Sequence, residues 1–183
     1  MLNVIAGTAG GLRLKTIDSD KTKPTLGRVK EALFSMISDY IPGACVLDLF
    51  TGSGSLGIEA LSRGAEYCYF NDSNKECCKI TRDNLNFTGL ISRGTVSQYE
   101  FKQALDIYGK EKKRFDIVFL DPPYGMDYYN EAICALKMRK LINSNGIVVA
   151  EHSIDKSFDD IDGFEIIKRK KYGSVGLTVF AIK

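Results

Sequence analysis

The sequence contains no tryptophan, a single histidine and only four prolines, and it has no long apolar run. A membrane-spanning helix needs about 20 consecutive apolar residues, and no stretch of this chain approaches that length. The opening stretch, "MLNVIAGTAGG", also lacks the basic segment followed by an apolar segment that marks a secretory signal. We therefore expect a cytoplasmic protein.

The cysteines form no Cys-x-x-Cys pair, and their number, five, is odd. A disulfide framework is therefore not expected. With His152 as the only histidine, a zinc site is not expected either, and we interpret His152 as a structural residue. We predict no bound metal and free thiols at Cys45, Cys68, Cys77, Cys78 and Cys134.

The net charge of +2 is too small to indicate a nucleic-acid partner by itself. Basic residues are nevertheless concentrated in residues 1–30, in "KEKKRF" at 110–115 and in "KRKK" at 168–171. Each stretch alone is typical of solvated surface. Together they are compatible with an anionic partner without establishing one.

The order of apolar stretches predicts the fold class. The chain of 183 residues has no linker or internal repeat, which favours one compact unit. From residue 45 onward, strand-like and helix-like stretches alternate, and this predicts a parallel sheet with helices on both faces. The predicted strands are 45–50, 67–71, 94–98, 115–120 and 146–152, and the predicted helices are 55–62, 75–86, 101–109 and 128–140.

Two hairpins are predicted at the ends of this alternation. "LNVIAG" and "LRLKTI" predict a short N-terminal hairpin, and helical spacing from Thr25 to "IPG" predicts a helix after it. "FEIIKRKKYG" and "GLTVFAIK" predict a closing hairpin, which adds an antiparallel edge strand. We expect an appendage at 1–40 and a doubly wound α/β domain with a seven-stranded, mostly parallel sheet at 41–183.

A glycine-rich loop follows the first predicted strand in "DLFTGSGSLG". Gly52, Gly54 and Gly57 make the G-x-G-x-x-G pattern between a strand and a helix, the context that the pattern requires. Asp72 closes the second strand, where a carboxylate accepts hydrogen bonds from ribose hydroxyls. The alternative is a tight turn with a surface aspartate, but the combination favours a nucleoside-type cofactor.

The residue before this loop indicates which cofactor. Asp48 precedes the first glycine, and a carboxylate there suits a positively charged amino-acid end better than a pyrophosphate. This favours S-adenosylmethionine over a nicotinamide dinucleotide. Glu100 either accepts from the adenine amine or is a solvated residue at a helix start, and the residues do not decide between these. The predicted cofactor site also includes Phe50, Thr51, Ser73 and Phe101.

Three segments together resemble the bacterial 16S ribosomal RNA guanine-N2 methyltransferase family: "KPTLGRVKEALF", "DLFTGSGSLGIEALSRGA" and "FLDPPY". The resemblance runs over nearly the whole chain. It implies a Rossmann-like S-adenosylmethionine-dependent methyltransferase fold. It also implies methylation of the N2 amine of one guanine in the small ribosomal subunit, by a protein with an N-terminal hairpin that helps to hold RNA. We expect a monomer.

The resemblance also assigns roles to residues. It implies a cofactor loop at Gly52–Gly57, a ribose-binding acid at Asp72, an adenine-binding acid at Glu100 and a catalytic motif of Asp121, Pro122, Pro123 and Tyr124. The family usually has aspartate at Gly27, and basic residues where this chain has Thr8, Gly10 and Leu12. The candidate RNA contacts are Arg13, Lys15, Lys23, Thr25 and Arg28.

The motif "DPPY" after the fourth strand suits methylation of an exocyclic amine. Prolines cannot donate to a ladder, so the strand must stop at Asp121. Asp121 can accept one N–H of the amine and the Pro122 carbonyl the other, with both acceptors held stiffly. Tyr124 offers a ring on which an extruded base can stack. The alternative is a turn with a capping aspartate, which the position beside the predicted cofactor disfavours.

Other functions stay open at this point. "DPPY" also serves adenine-N6 methyltransferases acting on DNA or another RNA, although the N-terminal hairpin and helix argue against that. A non-catalytic RNA-binding module is disfavoured by the intact Asp121, Gly52, Gly54 and Asp72. A nicotinamide dehydrogenase is disfavoured by Asp48 and by "DPPY".

Overall fold

The computed structural model describes residues 2–17, 24–123, 128–158 and 161–183, with the backbone alone for 24–26. These residues contain five α-helices and seven β-strands. The helices are α1 (Pro24–Met36), α2 (Ser55–Ser62), α3 (Lys75–Phe87), α4 (Phe101–Lys110) and α5 (Tyr129–Met138). The strands are β1 (Cys45–Asp48), β2 (Tyr67–Asn71), β3 (Gly94–Ser97), β4 (Phe115–Leu120), β5 (Ile142–Ser153), β6 (Phe164–Tyr172) and β7 (Val175–Ile182).

The strands form one sheet in the order β3-β2-β1-β4-β5-β7-β6. β1 pairs in parallel with both β2 and β4, and β4 pairs in parallel with β5. The chain therefore proceeds outward from β1 in one direction to β3 and then in the other direction from β4, so the strand order reverses between β1 and β4. The predicted doubly wound α/β class is confirmed, and ligands bind such sheets beyond the carboxyl ends at this switch point.

The structure differs from the prediction in strand order and at several element boundaries. The antiparallel strand β7 pairs with β5 on one side and β6 on the other, so it lies one place inside the edge. β1 ends at Asp48 rather than at residue 50, because the chain turns there toward the glycine loop. β5 begins at Ile142 rather than at residue 146, because Phe115 still pairs with Ile142, ahead of an irregularity at which β5 carries the extra residues.

Successive residues of β4 face opposite sides of the sheet, and each side has its own apolar core. Ile117 and Phe119 belong to the cluster that includes buried residues of α1 and α2. Val118 and Leu120 belong to the cluster that includes buried residues of α4 and α5. This confirms the prediction of a sheet with helices on both faces.

The predicted N-terminal hairpin is present as a turn, but not as two regular strands. Its only β-pairing among the described residues is a single antiparallel bridge between Asn3 and Arg13. The segment instead folds onto α2: the N–H groups of Thr8 and Ala9 donate to the carbonyl and hydroxyl oxygens of Ser62, both at 2.9 Å. Hydrogen bonds do cross the hairpin, from the N–H groups of Val4 and Leu14 to the carbonyls of Leu12 and Leu2 at 2.9 and 2.8 Å. The prediction of two regular strands was wrong because the intervening N–H groups donate to α2 and not to a ladder.

A buried carboxylate, that of Glu59 on α2, fastens this N-terminal segment to the domain. It accepts from the backbone N–H groups of Ile5 and Ala6 at 2.7 and 3.0 Å. It pairs with Lys30 of α1 at 3.1 Å and with Arg63 at 2.7 Å. Burial by itself would raise the pKa of Glu59, but attraction to Lys30 and these hydrogen bonds outweigh burial and lower it.

We expect Glu59→Gln to lower the free energy of unfolding by about 3–5 kcal/mol at neutral pH, because it leaves the buried Lys30 ammonium without its counter-charge. Chemical denaturation measures this change. The matched control is Glu131→Gln, which breaks the exposed pair with Lys102 and should cost less than about 1 kcal/mol.

Since the pKa of Glu59 is lowered on folding, the stability that it contributes is present above the usual glutamate range and is lost as the pH falls. The difference between the wild type and Glu59→Gln should therefore shrink in acid. Equal losses for Glu59→Gln and the control would contradict the assignment.

Candidate active site

A cavity of about 690 Å³ opens beyond the carboxyl ends of β1, β2 and β4, at the switch point of the sheet. The predicted site residues that line it are Asp48, Phe50, Thr51, Gly52, Asp72, Ser73, Glu100, Phe101, Asp121 and Pro123. Gly54, Gly57 and Pro122 do not line it. Tyr124 lies outside the described residues.

The three glycines of the loop have different roles in the structure. Gly52 (φ 53°) and Gly54 (φ 82°) adopt the left-handed conformation that favours glycine. Gly57 lies where α2 crosses β2, and a Cβ there would be 2.2 Å from the Phe70 ring. Of these glycines, therefore, only Gly52 lies at the cavity, whereas Gly54 and Gly57 shape the turn and let the helix pack closely.

The carboxylate of Asp72 is positioned by two backbone groups. One oxygen accepts from the N–H of Gly52 and the other from the N–H of Asn74, both at 2.9 Å. Each carboxylate oxygen still has acceptor capacity, because an ionised carboxylate has about four acceptor sites. Asp72 is therefore a rigid acceptor at the cavity wall, as binding of two ribose hydroxyls requires.

Asp48 is buried at the floor of the cavity and also holds the glycine loop in place. One of its oxygens accepts from the N–H of Gly57 at 3.0 Å and from the hydroxyl of Thr51 at 3.1 Å. Burial and, to a smaller extent, the charge of Asp72 raise the pKa of Asp48 to about 6, against the lowering effect of these two hydrogen bonds. Thr51, predicted as a cofactor residue, thus also supports Asp48.

Three aromatic rings form one wall of the cavity. The Phe101 centroid lies 5.5 Å from that of Phe50 and 4.9 Å from that of Tyr128, and the rings of Phe50 and Tyr128 are nearly parallel. Such a wall suits a planar heterocycle. Glu100 lies at its rim, exposed and without a capping hydrogen bond at the start of α4, so its carboxylate faces no competing helix contact.

Carboxyl groups are concentrated where β4 and β5 end. Asp121 is open to the solvent of the cavity but enclosed by its walls. Desolvation by these walls, and then repulsion by Glu151 and Asp48, raise the pKa of Asp121 well above the usual aspartate range. Desolvation also raises the pKa of Glu151. This end of the cavity therefore suits cationic or hydrogen-bond-donating groups.

Sequence reasoning missed several residues of the cavity wall. Glu151 lies one residue beyond Ala150, the last residue of β5 that pairs with β4, and Tyr128 lies at the start of α5. Leu2 of the N-terminal segment and Lys30 of α1 also line the cavity. Glu151, Tyr128 and Leu2 belong to no motif, and Lys30 lies in "KPTLGRVKEALF" without a role that the sequence assigns to it. Strand register and the packing of α1 place these residues at the site.

The predicted RNA contacts are described only in part. Arg13, Lys15 and Arg28 are exposed, and Lys15 forms an exposed pair with Asp83 at 3.2 Å. Lys23 lies outside the described residues, and the structure describes the backbone of Thr25 but not its side chain. These assignments stay predictions.

The "KRKK" run and His152 have local roles. In β6, Lys168 donates to the carbonyl of Met36 at 2.6 Å and Arg169 to that of Phe158 at 3.2 Å. Both ring nitrogens of His152 have partners, the Ser153 carbonyl at 2.8 Å and the Thr178 hydroxyl at 2.9 Å, and His152 does not line the cavity. These contacts support the structural interpretation of His152.

The cysteines are free thiols, as predicted. No group of histidine, cysteine and carboxylate side chains with metal-binding geometry occurs within the described ranges. Nor does any helix in the described part of the chain combine the length and the apolar character needed to span a bilayer.

The sheet order and the cavity at the switch point define a Rossmann-like methyltransferase fold. A hypothetical protein of Thermus thermophilus, whose structure is known, superposes with a TM-score of 0.85 over the full length of both chains, at 27% identity. The cavity fits S-adenosylmethionine: it combines a rigid acid for ribose hydroxyls, an aromatic wall for adenine and carboxylates for a cationic end.

The chain belongs to the family described as Conserved hypothetical protein 95, which matches residues 2–181. It is 32% identical to the Haemophilus influenzae protein named ribosomal RNA small subunit methyltransferase D, over 98% of this chain and 93% of the relative. It is 34% identical to Bacillus subtilis YlbH, provisionally named an rRNA methyltransferase, over 98% of both chains. The resemblance predicted from the motifs is confirmed.

We expect Asp48→Asn to stabilise the ligand-free protein at neutral pH by up to about 3 kcal/mol, because the variant removes a buried charge and keeps an acceptor for Gly57. The pKa of Asp48 is raised on folding, so its ionisation costs stability as the pH rises toward about 6. The advantage of the variant should thus grow between about pH 4 and pH 6 and then level off.

Thermal unfolding across that pH range measures this effect, with the exposed Asp39→Asn as the control. A pH-independent difference between Asp48→Asn and the wild type would contradict the prediction.

Proposed function

We propose that this protein is an S-adenosylmethionine-dependent methyltransferase that methylates the N2 amine of a guanine in 16S ribosomal RNA. The observation that carries the proposal is that Asp121, at the end of β4, lines the same cavity as Gly52 and Asp72. Acceptors for an exocyclic amine and for a ribose thus lie in one site. The name of the Haemophilus influenzae relative, over most of both chains, supports an rRNA of the small subunit as the substrate.

The contacts of each residue support its proposed role in binding the cofactor. Asp72, held by the N–H groups of Gly52 and Asn74, accepts from the ribose hydroxyls. The wall of Phe50, Phe101 and Tyr128 contacts the adenine. The acidic end at Asp48 and Asp121 faces the cationic part of the cofactor. Glu100 accepts from the adenine amine, and Ser73 lies beside Asp72 on the same wall.

When bound, S-adenosylmethionine supplies an electrophilic methyl group. The guanine amine is a poor nucleophile, because its lone pair is delocalised into the ring. Asp121 accepts one N–H of the amine, and the carbonyl of Pro122 accepts the other, which favours a tetrahedral nitrogen. These acceptors fit the tetrahedral nitrogen better than they fit the planar amine. They therefore stabilise the transition state rather than the bound substrate.

Rigidity is what makes these acceptors effective. Pro122 is buried and Pro123 lines the cavity, directly after the last residue of the central strand β4. The prolines restrict the backbone there, so the acceptors do not have to reorganise during the reaction. Tyr124 stacks on the extruded base in this proposal, and such stacking contributes about 1–3 kcal/mol per base.

We further propose that the protein acts as a monomer in the cytoplasm, on naked 16S rRNA or on the small subunit as it assembles. The N-terminal segment and the methyltransferase domain form a single compact unit in this proposal. Contacts between Glu59 and both Ile5 and Lys30 support it, because they hold the segment against α2 and α1.

The proposal is tested by incubating the protein with labelled S-adenosylmethionine and 16S rRNA, small-subunit particles or duplex DNA. We expect label on the N2 of guanine, in small-subunit RNA only. Asp121→Asn should lower kcat by about 100-fold or more, because it removes a charged acceptor used in the transition state. It should leave binding of S-adenosylhomocysteine within a few-fold of the wild type, and Asp39→Asn is the control. Label on adenine, on DNA or nowhere would refute the proposal.

The RNA-binding role of the N-terminal segment has a separate test. We expect Arg13→Ala/Arg28→Ala to raise the KM for RNA and to reduce its salt dependence, because phosphate contacts are lost, while cofactor binding stays unchanged. The control, Lys110→Ala/Arg114→Ala, removes the same charge near the amino end of β4, away from the cavity. Equal effects of the two double variants on KM would contradict a specific contact.

A further inference from the structure

Glu151 is the acidic residue of the described cavity lining that the roles above leave without a function. It lies on β5 next to β4, and Ala150 pairs with Leu120 in parallel register. Asp121 and Glu151 are therefore the residues that directly follow the last pair between β4 and β5. These neighbouring strands lie about 5 Å apart. Both residues line the cavity.

The backbone of Glu151 is held in place, whereas its carboxylate is not engaged. The Tyr129 hydroxyl donates to the Glu151 carbonyl at 2.8 Å, which fixes this point of β5 against α5. Asp48 and Asp72 both accept hydrogen bonds from the glycine loop. Within the described ranges, the Glu151 carboxylate has no such partner, and it is half-buried.

A carboxylate in this position distinguishes between purines. Guanine presents two donors side by side on one edge, N1–H and the N2 amine. Adenine presents its amine beside N1, which is an acceptor. Two neighbouring carboxylates can accept from both donors of guanine, whereas adenine would place the N1 lone pair against a carboxylate. An unpaired acceptor or an acceptor–acceptor contact in an enclosed site is costly.

We propose that Glu151 is the residue that selects guanine, by accepting the N1–H while Asp121 accepts from the N2 amine. The assignment rests on the proposed function, and it adds a specificity-determining residue to that site. The proposal also accounts for two mutually repelling carboxylates, Asp121 and Glu151, side by side in the cavity. Two adjacent N–H donors on a bound guanine would relieve this repulsion.

The test uses 2-aminopurine in place of the target guanine, in whichever small-subunit substrate the wild type methylates. This base keeps the amine at C2 but has an acceptor at N1. We expect the wild type to lose about 10- to 100-fold in kcat/KM on it, because the hydrogen bond to a charged group becomes a repulsive contact. Equal use of the two bases by the wild type would overturn the role of Glu151 even if a variant fails to fold, and because 2-aminopurine also lacks O6, the Glu151 variant assigns the loss to N1.

Glu151→Gln should change the preference and not merely the rate. Its amide can donate to N1 of 2-aminopurine, so the ratio of kcat/KM for guanine to kcat/KM for 2-aminopurine should fall by about 10-fold or more. A purely structural role would lower both rates and leave this ratio unchanged. Glu165→Gln, an exposed position on β6, is the matched control. Binding of S-adenosylhomocysteine checks that each variant is folded.

The outcomes separate the two proposals. Absence of methylated guanine with the wild type overturns the proposed function. Methylation of guanine, combined with equal use of 2-aminopurine by the wild type, overturns the role of Glu151 and leaves the proposed function standing. A folded Glu151→Gln variant with the wild-type preference also overturns it.

Discussion

The buried carboxylate of Glu59 joins three segments that are far apart in the sequence. It accepts from the backbone at Ile5, pairs with Lys30 of α1 and belongs to α2, the helix that follows the glycine loop. Lys30 in turn donates to the Asn3 carbonyl at 2.6 Å and to the Ser55 hydroxyl at 3.2 Å, at the first residue of α2. The N-terminal segment and the start of the cofactor loop are therefore held by one charge cluster.

Because this charge cluster joins the N-terminal segment to the glycine loop, it fixes where the substrate end of the cavity lies relative to the cofactor end. Lys30 and Leu2 line the cavity, so the segment with exposed Arg13 also closes part of the cavity wall. An RNA that contacts this segment is held by the same structure that shapes the cavity. Charges buried in this way contribute little net stability, but their loss is costly, so they favour one arrangement over others.

Local motifs made much of this site predictable. The glycine loop, Asp72 and Asp121 each follow a strand whose end is marked in the sequence by glycine, spacing or proline. The fold class followed from the alternation of strands and helices, which is a property of each segment. The close packing of Gly57 against Phe70 was not predicted, because it depends on how α2 crosses the sheet.

The residues that sequence reasoning missed are those placed by pairing and packing. Glu151 is an ordinary acid in an apolar strand until the register of β5 against β4 puts it beside Asp121. Tyr128 belongs to the aromatic wall only because α5 begins opposite Phe101. The N-terminal hairpin did not form two regular strands for the same reason, since several of its N–H groups donate to side chains of α2 and not across the hairpin.

The two edges of the sheet differ in how they are protected from pairing with other chains. β3 is four residues long and offers little backbone to a partner. β6 is nine residues long and would be a good template, but it carries the consecutive basic residues 168–171, which are exposed. A second copy pairing along this edge would bring lysines close to lysines, and charged edge strands resist such association. The run that first suggested an anionic partner thus also protects the open side of the sheet against aggregation.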